Sequence, residues 1–388
     1  MDFTLSEEHV MFRNMFRDFA QNEVAPLAQT TDHEEKPPLE VLQKLAEQGF
    51  LGATFPEDYG GAELDALGYC LLMEELAKAC MSTALTVHVH LGLAGNTILR
   101  EGTEEQKEKY LPDMADGVKI GAFALTEPQA GTDAAAICTV AVRDGDEYVL
   151  TGNKIWVSNA GIADVFIVFA KTDPEAGARG ISAFIVEKDF PGFKVGRRER
   201  LLGLRGAVCN PIYLDGCRVP AENLLGGKEG EGFKVAMKAL DFARLSVAAI
   251  CLGLAEAALK EGAKFATERE QFGGPIAQKQ AIQNYVADAA IKIEALRHMV
   301  EYVAWLADSG ERYTKEAAMV KAFGAEVAFW VANKMVQVHG GYGYMREYAI
   351  ERMYRDARAL HIIDGTTEIQ KFIVAADIFK EYGLKIKP

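Results

Sequence analysis

Cysteine is scarce and scattered: six residues, at 70, 80, 138, 209, 217 and 251, with no CxxC pair among them. That spacing argues against a thiolate metal site and against a disulfide framework. Histidine numbers seven. His88 and His90 stand two apart, which on an α-helix turns them to different sides, so no metal pair is expected and each is read as a satisfied, structural residue. Positive charge is also short. With 42 Lys and Arg against 56 Asp and Glu, the formal net charge is −14, and no basic footprint for nucleic acid exists. A phosphorylated small molecule needs only a local basic patch and stays compatible with that balance. No GxGxxG runs from a strand into a helix, so a Rossmann dinucleotide domain is not supported. The uncharged stretch 79–99 is long enough to span a membrane, yet it is diluted by Ser82, His88, His90, Asn96 and three threonines. A buried helix is the expectation there, with no membrane span. The first residues lack the basic and apolar segments of a signal peptide, which together with the cysteine pattern predicts a reducing, cytoplasmic location. There is no internal repeat.

What the chain does contain is enough apolar residue, 49% of 388, for a large core and two or three domains. Residues 1–120 read as a helical domain. Leu5, Val10, Met11, Met15, Phe16 and Phe19 recur at helical spacing, and further helices are expected over 67–80 and 84–99. Thr103 followed by Gln106 promises a capping box. The period then shortens. Residues 121–228 read as a β domain with strands near 138–142, 147–150, 155–158, 165–169, 181–186 and 211–214. Turn pairs such as Thr151-Gly152 separate them, and the expected sheet is antiparallel, closed or sandwiched. A surface hairpin or loop is expected at 174–180. Residues 229–388 return to helical spacing, over 233–262, 276–308, 315–339 and 369–382. These helices are apolar around much of their circumference, which predicts a four-helix bundle with part of its outer surface buried against another subunit.

Four polar, turn-rich stretches interrupt these patterns. Near the end, Asp364-Gly365-Thr366-Thr367-Glu368 breaks a helical region, and an unpaired carboxylate there is a poor core residue. Asp364 or Thr366 could simply cap the next helix. In the middle, Thr126-Glu127-Pro128 with Gly131-Thr132-Asp133 offers hydroxyls and backbone N–H groups for a polar planar ring, although Phe123 and Leu125 beside it could merely alternate inward. Trp156 and Ser158 add a stacking aromatic and a hydroxyl. Finally Arg269, before Gln271-Phe272-Gly273, suits a diphosphate through its bidentate fork, unless it only pairs with Glu268 or Glu270.

In this order and spacing the stretches are highly specific. Together with Gln337, Gly340-Gly341-Tyr342-Gly343 and Arg355-Asp356-Ala357, they resemble the acyl-CoA dehydrogenase family over essentially the whole chain. The resemblance implies a multidomain α+β fold of N-terminal helical, central antiparallel β and C-terminal four-helix-bundle domains, assembled as a homotetramer of paired dimers. It implies FAD, with Phe123, Leu125, Thr126, Trp156 and Ser158 around the flavin. Arg269, Gln271, Phe272, Gln337 and Gly341 would reach the diphosphate and adenosine end of the neighbouring subunit's cofactor, and Thr366 and Glu368 would help hold FAD. Thr132, Asp241 and Arg244 match positions on the CoA side of the substrate, and Leu91, Ile363 and Gly365 border its acyl part.

By the same likeness Asp364 is the base that removes the Cα proton of an acyl-CoA thioester while Cβ yields a hydride to flavin N5. Hydrogen bonds to the thioester carbonyl, commonly including the base's own backbone N–H, steady the developing enolate. Enclosure is expected to raise the base's pKa toward neutrality. Two departures stand out. Most members carry glutamate where Asp364 stands, and often tyrosine where Ile363 stands. The alternative base position, immediately before Arg244, is Ala243 and empty. A bulky or cyclic acyl group such as cyclohexanecarboxyl, or a short straight chain, would suit the smaller residues. Electrons would pass to an electron-transferring flavoprotein. The rival readings are an oxidase using O2 and an inactive acyl-CoA-binding or assembly protein.

Overall fold

The computed structural model describes residues 4–386. Residues 1–3, part of the stretch read for a leader, and 387–388, the end of the expected third domain, lie outside the described residues. The first third of the chain forms α1 (Glu7–Phe19), α2 (Ala28–His33), α3 (Leu39–Glu47), α4 (Ala66–Ala79), α5 (Met81–Val87), α6 (Asn96–Glu101) and α7 (Glu104–Ala115). The capping box of α7 is complete: Thr103 Oγ1 accepts from the Gln106 N–H and Gln106 Oε1 from the Thr103 N–H. The helix expected over 84–99 is present and continuous, with a local widening. Between α5 and α6 the chain widens into a buried π-helical segment, His88–Gly95, a distortion that recurs at functional sites. Two glycines permit the tight packing around it. A Cβ on Gly92 would lie 2.3 Å from the Tyr69 hydroxyl, and one on Gly95 2.4 Å from the Phe55 ring.

The middle third forms β1 (Gly121–Ala124), β2 (Val140–Asp144), β3 (Glu147–Ser158), β4 (Val165–Lys171), β5 (Ile181–Glu187), β6 (Phe193–Val195) and β7 (Cys209–Pro220). The order across the sheet is β1-β4-β2-β3-β7-β6, with β5 also on β4. Most pairs are antiparallel as expected. The sheet is nevertheless mixed, because β1 runs parallel to β4 and β2 meets β4 in a parallel bridge. The turn read at Thr151-Gly152 is absent: β3 runs through it and absorbs the irregularity as register shifts against β7. The second shift, between Lys154 and Val157, leaves Ile155 and Trp156 off the ladder. The Ile155 N–H turns instead to the Thr126 carbonyl at 2.9 Å. A short 3-10 stretch, Pro174–Gly180, closes the β4–β5 hairpin as expected.

The C-terminal bundle consists of α8 (Gly232–Glu268), α9 (Gln280–Asp308), α10 (Thr314–His339), α11 (Ala349–Ala359) and α12 (Thr367–Glu381). Four of these match the periodicity reading; α11 is additional. α8 is long and apolar enough to cross a membrane, but most of that apolar length is buried inside the protein, where it packs on α4, α9 and α10. Small residues set that approach: a Cβ on Gly253 would fall 2.2 Å from the Glu74 carbonyl oxygen of α4. One core cluster runs from the N-terminal helices across one face of the sheet into the bundle, and a second fills the other face. On α9, Ile291, Tyr302 and Trp305 remain exposed.

Candidate active site

Asp364 sits where α11 ends and the chain reverses into α12. Thr366 takes the capping role, its Oγ1 accepting from the Ile369 N–H. Asp364 itself has φ 52°, in the left-handed region, and Gly365 follows at φ 93°. A non-glycine residue held there costs energy and marks functional turns. The turn is braced from behind. Lys321, fully buried on α10, donates from Nζ to the Gly365 carbonyl at 2.6 Å. Gln370 Nε2 donates to the Asp364 and Gly365 carbonyls at 3.2 and 3.0 Å. The Asp364 N–H has no backbone acceptor among the described residues.

The carboxylate, 14% exposed, has His88 as its hydrogen-bond partner, with Nε2 3.0 Å from Oδ2. The other ring nitrogen, Nδ1, lies 2.7 Å from Ser246 Oγ on α8. His88 is satisfied on both ring nitrogens, as expected, and one of its two partners is the candidate base. His90 has a structural role. Its Nδ1 accepts from the Gly121 N–H at 3.0 Å and its Nε2 donates to the Met114 carbonyl at 3.1 Å, while burial pushes its pKa down to about 4.

The expected pKa rise at Asp364 is corrected. Burial does push the carboxyl upward, but the His88 hydrogen bond and charge, with the positive charges of Lys321 and Arg244, outweigh it. Asp364 is held below the ordinary carboxylate value and is ionised at neutral pH. Burial in turn pushes Lys321 down to about 8, against the attraction of Asp364.

Arg244, buried on α8, donates from Nη1 to Asp241 Oδ1 at 2.6 Å, and Asp241 Oδ2 accepts from Thr314 Oγ1 at 2.7 Å. Its Nε is buried and has no hydrogen-bond partner among the described residues. Ala243 beside it is a buried core residue. Leu91 and Val87 are fully buried and Ile363 is half-buried. Thr132 is exposed on its loop.

A second group gathers where β1 and β3 meet. Phe123 is half-buried, its ring 4.9 Å from that of Phe169; Leu125 is buried, and Thr126 and Ser158 are half-buried. Glu127 and Lys154, which sequence reasoning did not single out, clamp this corner. Glu127 is buried and accepts from the Cys138 and Thr139 N–H groups, the Thr139 hydroxyl and Lys154 Nζ; Lys154, fully buried, also donates to the Leu125 carbonyl. Trp156 is no core residue: it projects from the bulge at φ 54° and is 61% exposed.

The third group lies at the far ends of α8 and α10. A cavity of about 510 Å³ is lined by Phe265, Arg269, Gln271, His339, Gly341 and Tyr342, among others, and shares no residue with the Asp364 turn. The Arg269 guanidinium lies 5.5 Å over the Tyr342 ring. Phe272, at φ 53°, is 95% exposed. Gln337 and Glu368 are exposed, and a Cβ on Gly341 would meet nothing. An exposed Phe272 in left-handed backbone, an arginine over the Tyr342 ring with no ion pair among the described residues, and a glycine with nothing within 4 Å of its Cβ position fit a flat ring system and a diphosphate.

Comparison with known proteins places the chain in a family. The family models for the acyl-CoA dehydrogenase N-terminal, middle and C-terminal domains match residues 6–118, 122–217 and 230–379. The short-chain specific acyl-CoA dehydrogenase of Clostridium acetobutylicum is 45% identical over 98% of this chain and 100% of its own. The acryloyl-CoA reductase (NADH) of Anaerotignum propionicum is 46% identical over 98% of this chain and 96% of its own. Among solved structures, the butyryl-CoA dehydrogenase of Megasphaera elsdenii superposes with a TM-score of 0.95 at 41% identity, covering 98% of this chain and 100% of the other.

Proposed function

The chain belongs to the acyl-CoA dehydrogenase family, and we propose that Asp364 is the base with which it takes the Cα proton of a short or compact acyl-CoA thioester. The protein is an FAD-dependent enzyme that desaturates acyl-CoA between Cα and Cβ. When bound, FAD supplies the acceptor for the hydride that leaves Cβ. The observation that carries the assignment of the base is a carboxylate held ionised in a strained, braced turn, with no carboxylate at Ala243 to compete. Ionisation at neutral pH leaves it ready to accept a proton. The Asp364 N–H, with no backbone acceptor among the described residues, is the donor available to the thioester oxygen as negative charge develops there. Lys321, by holding the Gly365 carbonyl, orients the Gly365–Thr366 peptide one residue beyond the base.

Phe123, Leu125, Thr126, Trp156 and Ser158 are the proposed flavin neighbours. Arg269, Gln271, Phe272, Gln337 and Gly341 would serve the diphosphate and adenosine end of a second subunit's FAD, with Thr366 and Glu368 assisting. That sharing is supported by a cavity separate from the Asp364 turn and by the exposed apolar face of α9, and it calls for a homotetramer of paired dimers. Thr132, Asp241 and Arg244 would face the CoA portion; the free Nε of Arg244 supports this for Arg244. Leu91, Ile363 and Gly365 would border an acyl group that is either short or compact and cyclic, such as cyclohexanecarboxyl. An electron-transferring flavoprotein is the proposed acceptor. Six unpaired cysteines support a reducing, cytoplasmic setting, and changes of period near 120 and 228 support the three proposed domains. Asp364→Asn tests the core of this reading. It should retain FAD and bind acyl-CoA while flavin reduction falls about 100-fold or more; parent-like reduction would remove Asp364 from the mechanism.

A further inference from the structure

We infer that His88 is a positioning residue for Asp364: donating from Nε2 to Oδ2, it fixes the carboxylate's plane and ionised state and leaves Oδ1 to take the substrate proton. This rests on Asp364 being the base. The ring is completely buried, so water cannot stand in for it. It is held on both sides, by Asp364 at 3.0 Å and by Ser246 at 2.7 Å. Ser246 has two ways to use its single proton, because its Oγ is also 3.1 Å from the Ala243 carbonyl. If the hydroxyl donates to Nδ1, the neutral ring carries its hydrogen on Nε2. If it donates to Ala243, Nδ1–H donates to Ser246, and an ionised Asp364 then requires a second hydrogen on Nε2. Either way, an ionised Asp364 faces an N–H. The opposite tautomer would set two lone pairs against each other.

The brace has a purpose at this turn. An aspartate carboxylate rotates broadly about its last torsion, and a base must meet Cα in a narrow range of positions. Around Asp364 the charged and titratable groups come from four elements: His88 from the π segment, Lys321 from α10, Arg244 from α8 with Asp241 on its far side, and Tyr69 from α4. Lys321 acts from a bond to the next carbonyl, Arg244 is paired with Asp241, and the Tyr69 hydroxyl stays neutral because burial pushes its pKa up. Among the described residues, only His88 bonds the carboxylate itself. The fit around the ring is tight: the Cβ position of Gly92 is 2.3 Å from the Tyr69 hydroxyl and 3.3 Å from His88 Nδ1.

The sign of the pH effect follows. Removing a donor that favours the carboxylate raises the pKa of Asp364, so a higher pH is needed to ionise it and the acid limb of the rate profile moves up. Single-turnover flavin reduction of the FAD-loaded protein, with saturating butyryl-CoA or cyclohexanecarboxyl-CoA between about pH 3 and 8, a range that brackets a depressed carboxylate and its upward shift, reads this out. In His88→Leu the acid limb should rise by about one unit or more, and the plateau should fall about 10-fold or more from lost orientation. His88→Gln, which keeps an N–H, should stay nearer the parent in both. Ser246→Ala should shift the limb the same way by less, and it decides the matter if His88→Leu fails to hold FAD. An unshifted acid limb overturns the inference whether or not the plateau falls, since a merely structural role would leave the profile in place. A shifted limb with a parent-like plateau overturns the positioning role. Failure here with a slow Asp364→Asn leaves the base assignment standing; a fast Asp364→Asn removes that assignment instead.

Discussion

Asp364→Glu adds one methylene to a carboxylate whose partner cannot move. The side chain gains roughly 1–1.5 Å of reach, while His88 Nε2 stands 3.0 Å from Oδ2 in a ring that is fully buried and braced by Ser246. Extended in the present direction, the new oxygen would approach Nε2 to about 2 Å or less, inside any normal hydrogen-bond distance. The glutamate must therefore fold sideways and either lose the His88 bond or carry its oxygens toward the substrate. For an acyl group fitted to the shorter acid, a shift of about 1 Å costs about 100-fold in rate. A straight chain can slide with the base, so its loss should be far smaller or even become a gain. Single-turnover flavin reduction with cyclohexanecarboxyl-CoA and butyryl-CoA, parent against variant, measures both. A Glu variant that reduces as fast as the parent with the cyclic substrate would refute the matched-reach reasoning. A parent that prefers butyryl-CoA by a wide margin would refute the compact-ring pocket and leave the reaction class intact.

Two further outcomes are expected. Arg269→Ala should weaken FAD retention by removing a charge-assisted diphosphate contact, seen as a lower flavin-to-protein ratio after gel filtration; an equal ratio would count against Arg269 as a cofactor ligand. Lys154→Met strands the Glu127 carboxylate in the interior. Four other donors to Glu127 remain, the Cys138 and Thr139 N–H groups, the Thr139 hydroxyl and Gln129 Nε2, so the cost should lie near the lower end of about 3–5 kcal/mol, and a urea unfolding midpoint that implies less than about 1 kcal/mol would contradict the clamp.

Much of the architecture was legible along the chain because it depends on local spacing. The shift from helical to strand period and back marks the three blocks, and Thr103 with Gln106 predicts a cap that forms as expected. Trp156 and Arg269 stand off the core, in open positions. Asp364 stands out by its motif, and its backbone lies in the left-handed region. What spacing could not carry were relations between distant segments. The parallel pairing of β1 with β4 depends on how the chain crosses over, not on the content of either strand. The π segment at His88–Gly95 reads like any apolar helix until its packing against Tyr69 and Phe55 is known.

The sign of the Asp364 pKa shift shows the same division. Burial, inferable from the apolar surroundings of the motif, argued for a rise. The actual direction is set by His88, 276 residues away in sequence, and by Lys321 and Arg244 on two other helices. Composition and periodicity determined which residues are buried and which segments are helices or strands, since those follow from side-chain hydrophobicity and backbone preference. Only the tertiary structure decided which buried charges face one another. Coulomb and hydrogen-bond energies fall off with distance through space and take no account of distance along the chain.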